Sequence, residues 1–215
     1  MAEKDELLDA EVVNTSEIKA FDFPLLFEFK VTSMANDFVA KDKSGTTLAY
    51  VRQKMFKFKE DVQVFSDQSK KRELFRIKAD RWLDYNANYA FTNAEQETVG
   101  RVGRKGRKSI LKAHYEIFDV EGNQEFFIQE ENPWAKFWDF LMSEIPVIGM
   151  FTGYMFNPRY IIKRVDGTDV ARLSKEASFF GRKFRLEKLN DIDKGEDERL
   201  MLGLMMMSLL ERRRG

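Results

Sequence analysis

The run LMLGLMMMSLL, residues 200–210, constrains the fold more than any other stretch of the chain. It has no charged residue and only one polar side chain, Ser208. Leu, Met and Gly at this density predict a helix that is apolar on every face, and such a helix is normally buried on all sides. At about 1.5 Å per residue the run covers only about 16 Å of a ~30 Å bilayer core. It therefore predicts a helix within a protein core rather than a transmembrane segment.

The residues that flank this run indicate where the helix begins and ends. Three acids, Glu196 to Glu198, precede it and three arginines, 212–214, follow it. Both groups complement the helix dipole, and Arg199 is the one charge out of place. A helix against an open sheet would keep a polar face, whereas a closed barrel covers every face and leaves no exposed sheet edge. We therefore expect a closed barrel around a central helix near residues 196–213.

Alternating apolar and polar residues predict strands through much of the remaining chain. In YNANYAFT (85–92), SILKAHYEI (109–117) and ELFRIKAD (73–80) the apolar side chains recur at every second position. This period of two is typical of half-buried strands. Turn signals led by Asp or Asn recur at positions 42, 67, 93, 119 and 166, at intervals of 25, 26, 26 and 47 residues. The pattern predicts tandem antiparallel hairpins with ten to twelve strands in a single domain, 21–215.

The long last interval contains the segment NPWAKFWDFLMSEIP, which predicts a second helix between the fourth and fifth hairpins. Asn132 is a candidate N-cap and Pro133 suits the first helical position. An apolar stripe follows at helical spacing, and it consists of Trp134, Phe137, Trp138, Leu141 and Ile145. The stripe either docks on the barrel or forms a membrane or partner surface, because Trp is favoured at membrane interfaces.

Composition restricts the class of protein. Lys and Arg total 36 and so do Asp and Glu, which makes nucleic acid an unlikely general partner. Cys is absent, so disulfides and Cys-based metal sites are excluded and a reducing cytoplasm fits the chain. Residues 1–20 are acidic, without the basic flank and apolar centre of a signal peptide, and predict a flexible tail.

The repeated strand-turn-strand pattern that ends in an apolar helix resembles the tubby C-terminal-like superfamily. The likeness is greatest to LURP-one-related proteins, with phospholipid scramblases as a neighbouring branch. It rests on TTLAYVRQKMFKFKEDVQVFSD (46–67), PRYIIKRVDGTDVARLSKE (158–176) and the terminal helix. The resemblance implies a twelve-stranded barrel around a central helix, but it does not fix a function.

Two departures from the scramblases restrict what the resemblance implies. Their palmitoylated Cys cluster and Pro-rich N-terminal region are absent from this chain. The acidic stretch NDIDKGEDE lacks the ligand spacing of an EF-hand, so we expect it to cap the helix and predict no metal site.

The strongest candidate site is the basic segment GRVGRKGRKSILK, residues 100–112, which contains no acid. Its candidate binding residues are Arg101, Arg104, Lys105, Arg107 and Lys108. Such a segment binds anionic lipid headgroups, or it binds nucleic acid or an acidic partner, or it is a solvated hairpin end.

The chain offers no catalytic constellation. His114 is the only histidine, and strand parity places it on the outer face without a nucleophile beside it. We predict no catalytic residue, no metal and no cofactor. Two function classes stay open: a cytoplasmic, non-catalytic module that binds anionic phospholipid at the membrane periphery, and a soluble adaptor or structural protein that binds another protein. Scramblase-like activity is a third alternative.

Overall fold

The computed structural model describes residues 21–30, 36–53, 61–79, 88–104, 114–131, 159–176, 183–193 and 195–212. These residues form twelve strands and one helix. The strands are β1 Leu25–Phe29, β2 Asn36–Lys41, β3 Thr47–Gln53, β4 Asp61–Phe65, β5 Glu73–Ala79, β6 Asn88–Asn93, β7 Thr98–Arg104, β8 His114–Phe118, β9 Gln124–Glu130, β10 Arg159–Arg164, β11 Asp169–Glu176 and β12 Lys183–Lys188. The helix, α1, is Glu196–Arg212.

The strands close into one antiparallel barrel in which each strand pairs with its neighbours in sequence. β1 and β12 complete the circle, with Phe27 opposite Phe184. On the outer face of this seam, Glu28 accepts hydrogen bonds from Lys183 of β12 at 2.9 Å and Lys41 of β2 at 2.6 Å. The predicted closed barrel of about twelve strands is confirmed.

Five hairpins of this barrel share one turn design, and their turns lie at the same end, which we call the turn end. At each of the five predicted positions an Asp or Asn side-chain oxygen accepts a hydrogen bond from a backbone N–H two or four residues later. One residue of each turn is left-handed, and these are Gly45, Lys70, Gln96, Gly122 and Gly167. The Asx signals in the sequence therefore identified all five turns, but only four of them are led by the Asx residue, because the fifth turn begins at Arg164 and Asp166 is its third residue.

A β-bulge accompanies each of these turns and adds one residue to the second strand of the hairpin. The extra residues are Leu48, Leu74, Val99, Glu125 and Val170. The four apolar ones pack in or against the core. Glu125 is the exception, because its side chain is charged.

The other end of the barrel, which we call the connection end, is where the remaining chain segments join one hairpin to the next. The order of the strands along the chain identifies these segments as residues 31–35, 54–60, 80–87, 105–113, 132–158 and 177–182. The described residues next to each segment belong to the same end. The second helix predicted from Asn132 onwards lies outside the described residues, as does the predicted tail 1–20.

Helix α1 lies within the barrel, nearest to β7 and β8. Its residues from Leu200 to Leu210 are all buried, with exposures of 8% or less. Gly203 permits the close approach, because a Cβ at this position would lie 2.6 Å from Ile117 Cδ1 of β8. The predicted central helix, buried on every face, is confirmed.

Candidate functional site

The N-terminus of α1 is capped by its own acids at the turn end. The Asp193 carbonyl accepts a hydrogen bond from Asp197 N at 3.2 Å, and Asp193 N donates to Glu196 Oε2 at 3.1 Å, which is the glutamate half of a capping box. Arg164 of β10 donates to both oxygens of Glu196, at 2.7 and 2.8 Å. These hydrogen bonds lower the pKa of the Glu196 carboxyl below its ordinary value. The acidic stretch before the helix thus has a capping role, as predicted.

Arg199, the charge that the dipole argument left unexplained, pairs with the bulge residue Glu125. Arg199 Nε donates to Glu125 Oε2 at 2.7 Å, and Nη2 donates to Oε1. The pair is largely sheltered, since the two side chains are 20% and 12% exposed. The aliphatic stem of Arg199 passes over Gly100 of β7, where a Cβ would lie 2.7 Å from Arg199 Cδ. The bulge position that is apolar in the other four hairpins therefore supplies the counter-ion for the helix.

At the connection end, the Glu211 carboxylate joins the C-terminus of α1 to the barrel wall. Tyr115 of β8 donates a hydrogen bond to Glu211 Oε1 at 2.5 Å, and Tyr160 of β10 donates to Oε2 at 3.5 Å. Both tyrosine side chains are buried and point into the barrel. The helix consequently spans the barrel between two polar clusters of different chemistry.

The described part of the basic segment does not form one cluster. Arg101 is exposed and lies over the Phe118 ring, with its guanidinium carbon 4.8 Å from the ring centroid. Arg104 is three residues along β7 and pairs with the inward-facing Tyr115, so it lies on the opposite face, at the connection end. Arg104 Nε is buried and has no hydrogen-bond partner among the residues that the structure describes. Arg101 is therefore directed towards the turn end, whereas Arg104 ends β7 and adjoins segment 105–113.

The other predicted site residues cannot be compared with the structure. Lys105, Arg107, Lys108, Trp134, Phe137 and Trp138 lie outside the described residues. Their proposed roles stay predictions.

His114 occupies an outward strand position, as its parity predicted. Its Nε2 is 3.5 Å from Glu116 Oε1, and its ring stacks on Phe127. Glu116 is only 9% exposed despite its outward parity. Among the described residues, no group of three or more His, Asp or Glu side chains is placed to hold a metal ion.

The strands that flank the two candidate surfaces, 105–113 and 132–158, meet those segments at the same end of the barrel. β7 ends at Arg104 and β8 begins at His114, whereas β9 ends at Glu130 and β10 begins at Arg159. The strand order was the missing information, because an alternating pattern shows which face a residue takes but not which loops are neighbours.

Comparisons with known proteins agree with this architecture. The family model described as LURP-one-related matches residues 47–208, which include α1 as far as Ser208 and every strand except β1 and β2. No curated protein and no solved structure shows significant similarity to the chain. No helix within the described residues combines the length and apolar character that a membrane span needs. The match covers well over half of the sequence, and the chain belongs to the LURP-one-related family.

Proposed function

We propose that this protein is a non-catalytic binding module that associates with anionic phospholipid surfaces through the connection end of its barrel. The observation that carries the proposal is the opposite charge balance of the two barrel ends. The central helix fills the space inside the barrel, so the proposal uses the outer end and not an internal ligand cavity.

The turn end is acidic. Its connecting segments 42–46, 66–72, 94–97, 119–123, 165–168 and 189–195 contain nine Asp or Glu residues and five Lys or Arg residues. The first turn of α1 adds three acids, Glu196, Asp197 and Glu198, and one base, Arg199, at the same end. An anionic membrane would repel this end.

The connection end has the reverse balance in its sequence. The six segments 31–35, 54–60, 80–87, 105–113, 132–158 and 177–182 contain ten Lys or Arg residues and five Asp or Glu residues. They also contain all three tryptophans of the chain, Trp82, Trp134 and Trp138. Basic residues near an anionic membrane contribute roughly 1 kcal/mol each, and Trp is favoured in the interfacial region. This composition supports a lipid surface as the ligand.

Arg104 supports the assignment of the basic segment to this end. It is the last residue of β7 and pairs with Tyr115, which contacts Glu211 near the end of α1. The following lysines and arginines, 105–108, therefore start from the same end as the arginines after Glu211. Arg101 belongs to the other side of the strand, so the proposed site begins at Arg104.

Vesicle co-sedimentation tests the proposal. Vesicles of phosphatidylcholine alone are compared with vesicles that also contain phosphatidylserine, at low and at physiological ionic strength. We expect binding only to the anionic vesicles, and weaker binding at physiological salt, where the Debye length shrinks to about 8 Å. Equal partitioning of folded protein to both vesicle types contradicts the proposal.

A matched pair of charge reversals locates the surface. Lys105→Glu with Lys108→Glu should reduce binding to the anionic vesicles strongly. Lys43→Glu with Lys71→Glu makes the same change in net charge at exposed positions of the turn end and should reduce it little. An equal loss in both variants would mean that total charge, and not the connection end, determines binding.

A further inference from the structure

Three exposed apolar side chains lie together on the turn end. Val120, Val165 and Leu189 are 53%, 63% and 39% exposed, and they are the only large exposed hydrophobic residues within the described ranges. They belong to the β8–β9 turn, the β10–β11 turn and the β12–α1 connection, which follow one another around the barrel. Adjacent strands are about 4.8 Å apart, so neighbouring members lie on the order of 10 Å from each other. We call these residues the three-tip surface.

The turn geometry does not require apolar residues at these positions. The five hairpin turns share one backbone design, and their second residues are Lys43, Gln68, Ala94, Val120 and Val165. Polar residues therefore serve equally well at this position, and β-branched residues have no preference for turns. Val120 and Val165 also lie outside the core. Neither the turn geometry nor core packing therefore explains why these two positions are valine.

The surroundings of the three-tip surface are acidic. The three connections 119–123, 165–168 and 189–195 contain one base, Lys194, and five acids, Asp119, Glu121, Asp166, Asp191 and Asp193, of which Asp191 pairs with Lys188 at 2.9 Å. Hydrogen bonds from Asn123, Thr168 and Lys188 lower the pKa of Asp119, Asp166 and Asp191 respectively, so these carboxylates stay charged at neutral pH. The surface therefore combines apolar tips with a stable negative field.

We propose that the three-tip surface docks a basic amphipathic helix of a partner protein. Charge complementarity identifies the occupant, because Lys and Arg residues would meet the acids while apolar side chains cover the tips. A tip separation on the order of 10 Å corresponds to roughly two turns of an α-helix, so apolar residues seven positions apart on a partner helix can cover neighbouring tips. An anionic membrane is repelled by this field. A symmetric contact between two copies would place the same acids against each other.

The inference does not depend on lipid binding at the connection end. Its probe is a fluorescein-labelled helical peptide of Lys and Ala residues with Leu at every seventh position, and its reference peptide has Ala in place of each Leu. Fluorescence anisotropy measures the binding of both peptides. We expect the wild-type protein to bind the Leu peptide at least about tenfold more tightly than the reference peptide, because burial of even one apolar side chain contributes that much.

Matched variants separate the tips from the charge. Val120→Ser with Val165→Ser should reduce the affinity for the Leu peptide to that of the reference peptide. Gln68→Ser with Ala94→Ser changes the same turn position on the opposite side of the turn end. This variant should leave the affinity for the Leu peptide unchanged. Leu189→Ser provides an independent test in a different connection. All of these positions lie at the protein surface or on a turn, and the thermal midpoint verifies that each variant is folded.

Three results would overturn the proposal. The first is equal binding of the Leu and reference peptides to the wild-type protein. The second is unchanged affinity in the folded Val120→Ser, Val165→Ser variant. The third is a loss of vesicle binding in that variant without any change in peptide affinity, which would assign the surface to a membrane.

Discussion

The two ends of α1 are held by different chemistry. At the turn end, Arg164 and Arg199 make charged pairs with Glu196 and Glu125, which join the first turn of the helix to β9 and β10. At the connection end, Glu211 accepts hydrogen bonds from Tyr115 and Tyr160. Between these ends the residues from Leu200 to Leu210 are buried, and Ser208 is the one among them with a side-chain hydroxyl.

The difference separates what stabilises the helix from what positions it. Apolar contact is not directional, so the middle of α1 can stabilise the fold without fixing the position of the helix along the barrel. Two-point contacts between an arginine and a carboxylate are directional, and both lie at the turn end. We therefore expect the middle to contribute most to stability, the sheltered Arg199–Glu125 pair at the turn end less, and the connection end less again.

Leu204→Asp should have the largest effect, because it places an unpaired charge in the apolar middle of α1. A buried uncompensated charge costs about 3 to 5 kcal/mol, and loss of the Leu packing adds about 2 kcal/mol or more. The sum is comparable with the whole stability of a domain, so we expect no cooperative thermal transition. Ser208→Ala is the control on the same helix, since the Ser208 hydroxyl is buried without a hydrogen-bond partner and its removal should not destabilise. A cooperative thermal transition in the Leu204→Asp protein would contradict the proposed role of the apolar middle of α1.

The Arg199–Glu125 pair should show the next largest effect. Arg199→Met or Glu125→Leu alone leaves one sheltered charge without its partner and should lower the free energy of unfolding by about 2 to 3 kcal/mol. The double variant restores the apolar bulge residue of the other hairpins and should be close to wild type. Chemical denaturation of the four proteins gives the coupling energy. Additive losses in the double variant would mean that the pair is not a coupled unit.

Glu211→Gln should have a smaller effect at the connection end. The amide oxygen can still accept a hydrogen bond, but the charge-assisted bond from Tyr115 is lost, at a cost of about 1 kcal/mol. Glu95→Gln provides a control for loss of one carboxylate at an exposed position. Denaturant midpoints compare the two variants with wild type. A larger loss of stability in Glu211→Gln than in Arg199→Met would contradict the proposed order of the two ends.

Acid should weaken the turn end through Arg164 and Glu196, with the smallest effect of the four. The folded pKa of Glu196 is below its ordinary value of 4.5, chiefly because Arg164 donates hydrogen bonds to it. The pair therefore stabilises the fold above pH 4.5, and this contribution is lost as the pH falls through the lower, folded pKa. Both side chains are partly solvated, so we expect at most about 1 kcal/mol. The stability difference between wild type and Arg164→Met, measured from pH 7 to pH 3, should shrink towards the acid side; a constant difference would exclude this linkage.

Local patterns in the sequence predicted the barrel wall and its turns. The alternation placed Phe75, Ile77, Tyr115 and Ile117 inside, and the structure confirms all four. The turns were predictable because an Asp or Asn side chain bonds to its own nearby backbone. The helix was predictable because an all-apolar run permits few environments. Each of these signals depends on neighbours along the chain.

Contacts between distant segments could not be predicted in the same way. Glu125 and Arg199 are 74 residues apart, and their pairing depends on a bulge and on the axial position of the helix. One signal was present: Leu48, Leu74, Val99 and Val170 recur at the bulge position, and Glu125 breaks that series. Strand parity also fails at a bulge, which is why Leu74 is buried beside Phe75. Which loops are neighbours at each end of the barrel could be known only from the closed strand order.

The position of α1 in the chain has a consequence for how the protein folds during translation. All twelve strands precede the helix, so the ribosome makes the whole wall before the segment that fills it. Hairpins involve contacts close in sequence and can form early, whereas Glu28 and Lys183 at the seam are 155 residues apart. A nascent chain that has reached β12 but not α1 has an apolar inner wall with nothing against it. Such an intermediate is prone to aggregate, and we expect a released chain truncated before residue 196 to depend on chaperones more than the full chain does.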